Sequence, residues 1–294
     1  MSTHQPPMPQ APAAAPDWQA APGGSYPGYT SPIPVVRTHL GHAVASEWTK
    51  IKSVRSTIWT LGVFLVLVVG IGLLAGALVS DNTDASSLHG TNPLSFGFFG
   101  LLVGNMCIIT LGVLTTASEY GTGMIRTTMT ACPSRGRVLA AKAIVFFVVA
   151  FVVTIVSTTF VAMVQTSMLS GSGARTPSGG DWAKATLGVS LYIALLGLLA
   201  LLVGSMIRHS AGAITIMIGL VLAPLVLALF MATESLHPVR DFLLEYSFPS
   251  QLSVFYDNAI TSSGPTGWDP LWIMLGLTAV AGAGAYALLR GRDV

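Results

Sequence analysis

Apolar residues gather into six runs along the chain, near Thr57–Ser80, Pro93–Ala117, Leu139–Met168, Ala183–Met206, Ala211–Thr233 and Trp268–Leu289. Each run holds about twenty residues or more, and a helix rising about 1.5 Å per residue needs roughly that many to cross a hydrocarbon layer about 30 Å thick. The stretches between them are too short to fold as enzymes. The pattern predicts an all-α integral membrane protein with six transmembrane helices. Its work falls to the helices or to a partner.

The flanks and connections read differently. Residues 1–34 are rich in Pro, Ala, Gln and Gly with almost no charge, which predicts a disordered tail. Residues 35–56 form a second segment, and 57–294 the six-helix domain. Within 42–56, HAVASEWTKIKSVRS, the residues Val44, Trp48, Ile51 and Val54 recur every three or four positions. That spacing marks one face of a short amphipathic helix lying in the membrane surface. Trp48, Lys50, Ile51, Lys52 and Arg55 are its candidate contacts, as a lipid anchor or as an elbow that also touches a partner. The connection 118–140 reads SEYGTGMIRTTMTACPSRGRVLA. Gly121 and Gly123 permit tight turns. Met124, Ile125 and Met129 would be exposed if nothing covered them, which suits a protein contact, or else the turn folds against its own bundle; Ser134 is placed to cap the next helix. Arg135, Arg137 and Lys142 then mark the membrane surface. The loop 169–182, rich in Gly and Ser, reads as flexible, and the long connection 234–267 as short helices on the mouth of the bundle.

Basic residues set the orientation, because cytoplasmic loops carry the excess of Lys and Arg. With both termini inside, 11 basic residues fall on the inner side and only Arg175, Lys184 and Arg240 on the outer. Both termini are therefore expected to be cytoplasmic, in a multi-pass protein of the cell membrane. Trp59, Trp182, Trp268 and Trp272 sit near helix ends, where interfacial aromatic belts form.

Composition agrees with this class. Of 294 residues 52% are hydrophobic and 9% charged, against about 25% charged in soluble domains. Cys107 and Cys132 read as free thiols. No phosphate-binding glycine loop with its lysine is present, since GSGARTPSGG at 171–180 lacks one, and no zinc, redox or serine-nucleophile motif appears. The six histidines fall in loops or tails on this reading. No catalytic, cofactor-binding or metal residues are assigned, and no nucleic-acid partner is expected. Charge inside the runs is almost nil, which argues against a proton-coupled pump. Asn105 and Gln165 are the deep polar residues; they either line a substrate path or bridge two helices by hydrogen bonds. Gly72/Gly76 and Gly100/Gly104 allow helices to approach closely.

Two stretches carry a resemblance: SEWTKIKSVRSTIWTL, entering the first run, and ASEYGTGMIRTTMTACPSRGRVLAAK, between the second and third. Together they are similar to actinobacterial ABC-2 type transporter permeases, over roughly residues 40–290. The resemblance implies an ABC-2 type permease fold and a transporter subunit without its own ATPase site. ATP and Mg would be bound by a separate ABC ATP-binding subunit, and a second permease copy, identical or a sister chain, would complete the assembly among the membrane lipids. It further implies an elbow helix at 42–56 and an ATPase-coupling loop at Glu119, Tyr120, Gly121, Thr122, Gly123, Met124, Ile125 and Arg126. The expected activity is export of a lipid, hydrophobic drug or peptide. The alternative is a non-transporting membrane sensor or immunity subunit that binds a toxic peptide through 234–267.

Overall fold

The computed structural model describes residues 39–82, 88–231, 233–258 and 263–291, with nothing described of the Asn82 side chain. The expected disordered tail, 1–34, lies outside the described residues. Every regular element among those described is helical.

The first described helix is α1 (Leu40–Ser53); the chain then breaks at the extended Val54 and enters α2 (Arg55–Asn82). Arg55 therefore belongs to the first spanning helix and not to the surface helix, whose expected end at residue 56 moves back to Ser53. After the loop, Asn92 accepts a hydrogen bond from the Leu94 amide and a short 3-10 turn at Pro93–Phe96 leads into α3 (Gly97–Gly121). A proline at the first turn gives up an amide that has no partner there anyway.

The expected turn after α3 is a two-turn helix, α4 (Met124–Ala131), and α5 follows as Arg135–Met168. At 34 residues α5 is about 51 Å long, some 20 Å more than the hydrocarbon needs. Ser134 stands at the N-cap of α5 but its hydroxyl makes no capping bond.

The fourth span runs Gly179–Ile207, made of α6 (Gly179–Ala183), one π-helical turn (Lys184–Gly188) and α7 (Val189–Ile207). Ser178 and Asp181 form a capping box at its start. Arg208 in a left-handed conformation turns the chain directly into α8 (Ser210–Phe230), where His209 Nδ1 accepts from the Gly212 amide. Then come α9 (His237–Glu245), α10 (Phe248–Val254) and α11 (Asp269–Gly291). Among the described residues six helices are long and apolar enough to cross a membrane. His42 lies within α1 and His237 at the first position of α9, each inside a segment expected to be helical.

The centre of the bundle is α7, with 78% of its most apolar stretch buried, against 17–22% for α2, α8 and α11. It packs on α3, α5, α8 and α11, while α2 packs on α3 and α5. Small residues bring the backbones together. A methyl added at Gly100 would lie 2.5 Å from the Val68 carbonyl oxygen, so α2 and α3 touch there. Gly72 and Gly76 instead face α5, at Val161 and Gln165. The connection expected to be flexible is anchored: the Arg175 amide donates to the Thr91 carbonyl, and its guanidinium lies 3.3 Å from both Asp181 and Asp257. At the same end α10 is largely buried; Phe248 stacks on Tyr192 and Phe255 packs on it at a tilt.

Candidate functional site

The end of the bundle that carries α1 and α4 concentrates the chain's buried charge. Glu119 lies in the last turn of α3, where the negative end of the helix dipole disfavours an acid. Two ammonium groups offset that placement. Lys50 Nζ from α1 donates to Glu119 Oε1 at 3.0 Å, and Lys142 Nζ from α5 donates to the same oxygen at 2.6 Å. Glu47, one turn before Lys50, accepts from Lys50 at 2.8 Å and from Lys142 at 2.9 Å. Two acids and two bases thus alternate in a closed ring with no net charge. Glu47, Glu119 and Lys142 are each at most 5% exposed. Lys50 also reaches the Thr128 hydroxyl at 3.4 Å, which brings α4 into the same node.

Burial alone would push the Lys50 ammonium down, but its hydrogen bonds to Glu47 and Glu119 and their charges outweigh it and hold its pKa above the usual 10.5. The sign follows directly: the stabilisation is complete below 10.5 and fades only as pH rises through the higher folded value. Around neutral pH Lys50 stays charged, so it is a fixed strut and not a switch.

Further contacts tie the remaining helices to this end. The Arg208 guanidinium, in the turn between α7 and α8, lies 5.0 Å over the Tyr120 ring. Arg135 Nη1 donates to the Leu289 carbonyl at 2.8 Å, joining the start of α5 to the last turn of α11.

The candidate coupling residues divide between anchor and surface. Glu119 and Ile125 are buried, Tyr120 is half-buried, and Gly121, Thr122, Gly123, Met124 and Arg126 are exposed. Of the three apolar residues, Ile125 is buried and Met129 half-covered, so the segment folds partly against the bundle, while Met124 stays open. Gly123 starts α4 with φ of 73°, a left-handed conformation that an L side chain strains by about 1–2 kcal/mol. Gly123→Ala is expected to lower stability by about that much, read as a drop in melting temperature; no drop would mean that the turn has another conformation.

In α1 the inward face is not the apolar one. Glu47 and Lys50 turn toward the bundle, Trp48, Lys52 and Val54 are exposed, Ile51 is half-buried, and Lys52 lies 4.6 Å over the Trp48 ring. Between α1 and α4 runs a groove of about 380 Å³, lined by Ser46, Lys50, Met124, Thr127 and Ala131 among others.

Glu47 and Lys142 were not among the candidates from sequence, and Lys142 in particular is no surface marker. The available signal was a lone lysine inside a long apolar helix, which calls for a buried partner. The deep polar residues separate. Asn105 donates to the Leu101 and Leu102 carbonyls of its own helix, whereas Gln165 crosses from α5 to the Gly72 carbonyl of α2 at 2.7 Å. Among the described residues no His, Cys, Asp or Glu side chains group as a metal site, and Cys107 and Cys132 are free thiols.

No curated protein matches the chain. A family model described as ABC-2 family transporter protein matches residues 43–233, about two thirds of the length. That range runs from within α1 through α8 and holds the whole charged ring, so the chain belongs to the ABC-2 family of transporter proteins.

Proposed function

We propose that the chain is the membrane-spanning subunit of an ATP-driven exporter, with the α1–α4 end facing the cytoplasm and α4 seated on a separate ATP-binding subunit. The cargo is an apolar one, a lipid, hydrophobic drug or peptide, and a second permease copy completes the pathway. The family makes the chain a transporter's membrane component. The basic residues cluster at the α1–α4 end, which supports the orientation.

The observation that carries the reading is the buried ring of Glu47, Lys50, Glu119 and Lys142. It joins α1, the end of α3, α4 and the start of α5 into one block. A push on the exposed face of α4, at Met124, Arg126 and Thr127, would then move the spans themselves and not merely bend a loop. Closure of the ATPase pair would supply that push, and rigid-body rocking would change which side is open.

The test is reconstitution with the ATPase that co-purifies with tagged protein. Met124→Asp with Arg126→Glu alters the exposed face and leaves Ile125 in place. Transport should fall about tenfold or more while the variant still spans the membrane and melts normally. Undiminished transport by that variant would count decisively against the assignment.

The competing reading, a membrane subunit that captures a toxic peptide, draws on α9. Val239, Phe242 and Tyr246 present an exposed apolar face of the kind that binds partners. Phe242→Ser separates the two: it should abolish peptide capture on that reading and leave ATP-dependent export intact on the first.

A further inference from the structure

We propose that the end of the bundle opposite α4 binds a single water molecule, held between the side-chain carbonyl of Gln165 and the hydroxyl of Tyr256. The amide of Gln165 has its orientation set by chemistry. Nε2 donates to the Gly72 carbonyl at 2.7 Å, and a carbonyl accepts only from the NH₂ end of the side chain. Oε1 therefore points the other way. There it is buried and has no hydrogen-bond partner among the described residues, in a side chain only 1% exposed. Buried acceptors in native proteins are paired with protein or ordered water, and an orphan implies a ligand that supplies the donor.

The space for that donor is present. A cavity of about 10 Å³ lies between Val68, Gly97, Thr158, Gln165 and Tyr256. That is about the room one water molecule needs, and too little for anything larger. The position of a methyl carbon added to Gly97 lies 3.7 Å from Gln165 Oε1 and 3.5 Å from the Tyr256 hydroxyl oxygen, so both groups face the same point. Burial pushes the Tyr256 phenol far above its usual pKa. It keeps its proton and donates to the water oxygen, and the water donates to Oε1. Gly97 itself has ordinary helical angles, φ −63° and ψ −23°. Its backbone does not require glycine; what glycine leaves there is room.

The bridge has a structural consequence. It joins α2 and α5, already linked through Gly72 and Gln165, to the segment after α10 that closes this end of the bundle.

Gly97→Ala tests the site. The new methyl meets its neighbours at ordinary contact distance, so it fits sterically and takes the water's place. Filling a helical glycine that faces open space normally stabilises; Gly62→Ala in α2, with nothing within 4 Å, is the control and should raise the melting temperature. Gly97→Ala should lower it by about 2–4 °C, because Oε1 is then buried dry. A density map of the whole protein at about 2 Å resolution should show one peak within hydrogen-bond distance, about 3 Å, of both oxygens. A melting temperature unchanged or raised in Gly97→Ala, or a map with no peak there, overturns the proposal.

Discussion

Replacing Lys142 by methionine is expected to destabilise the protein by about 3–5 kcal/mol, the cost of stranding a buried charge whose partner has been removed. Lys142 is 3% exposed and sits between Glu47 Oε2 at 2.9 Å and Glu119 Oε1 at 2.6 Å. Without it two buried carboxylates share only Lys50. The same end then carries excess negative charge in a place water reaches poorly. Lys50→Met should cost less, because about a quarter of that side chain is exposed and water can replace part of what it supplies. The decisive measurement is the double variant Lys142→Met with Glu119→Gln. It restores neutrality by leaving Glu47 with Lys50, and it should recover at least about 1 kcal/mol relative to the sum of the single changes. Strictly additive losses in thermal or denaturant unfolding would show that the ring is not an energetic unit.

That ring also shows how far the sequence can be read. The six spans were legible because lipid imposes an apolar requirement on every turn. Agreement is good in the middle of each helix and poorer at the ends. Span three begins at Arg135 and not near Leu139, because a helix continues past the lipid while its hydropathy falls. The segment after α3 read as a turn: its threonines are weak helix formers, and nothing local shows that Ile125 packs inward and that Thr128 meets Lys50. Glu119 was recognised from its motif. Its partners lie 69 residues away at Lys50 and 23 at Lys142, and Lys142 meets Glu47 across 95. Periodicity cannot report pairings at such separations. Periodicity marked the apolar face of α1, but not that Glu47 and Lys50 turn to the bundle while Trp48 and Lys52 stay open. Glycine pairs told the same partial story: spacing announced close approach, but not that Gly72 and Gly100 serve different neighbours.

The closest of these approaches leads to the second large effect. Gly112→Ala should destabilise the protein by about 1–3 kcal/mol, although an alanine in a helix interior is ordinarily favoured over glycine by about 0.5–1 kcal/mol. The reversal comes from the neighbour. The added methyl would collide with the Gly197 carbonyl oxygen of α7, and the Ala200 methyl stands 3.2 Å away. A backbone oxygen has no rotamer to move into, so α3 and α7 must separate. That separation would stretch the bond from the Thr116 hydroxyl to the Leu201 carbonyl, now 2.9 Å, and open the seam at Gly204, where an added methyl would already meet the Val113 carbonyl at 3.0 Å. Since α7 is the most enclosed span and α3 ends in the charged ring, the same change should loosen the coupling end, read as faster hydrogen exchange in α4. Gly70→Ala, with nothing within 4 Å, controls for helix propensity and should melt slightly higher than the parent. If Gly112→Ala melts as high as Gly70→Ala, α3 and α7 are not in backbone contact, and the central packing that joins the spans to the charged ring is wrong.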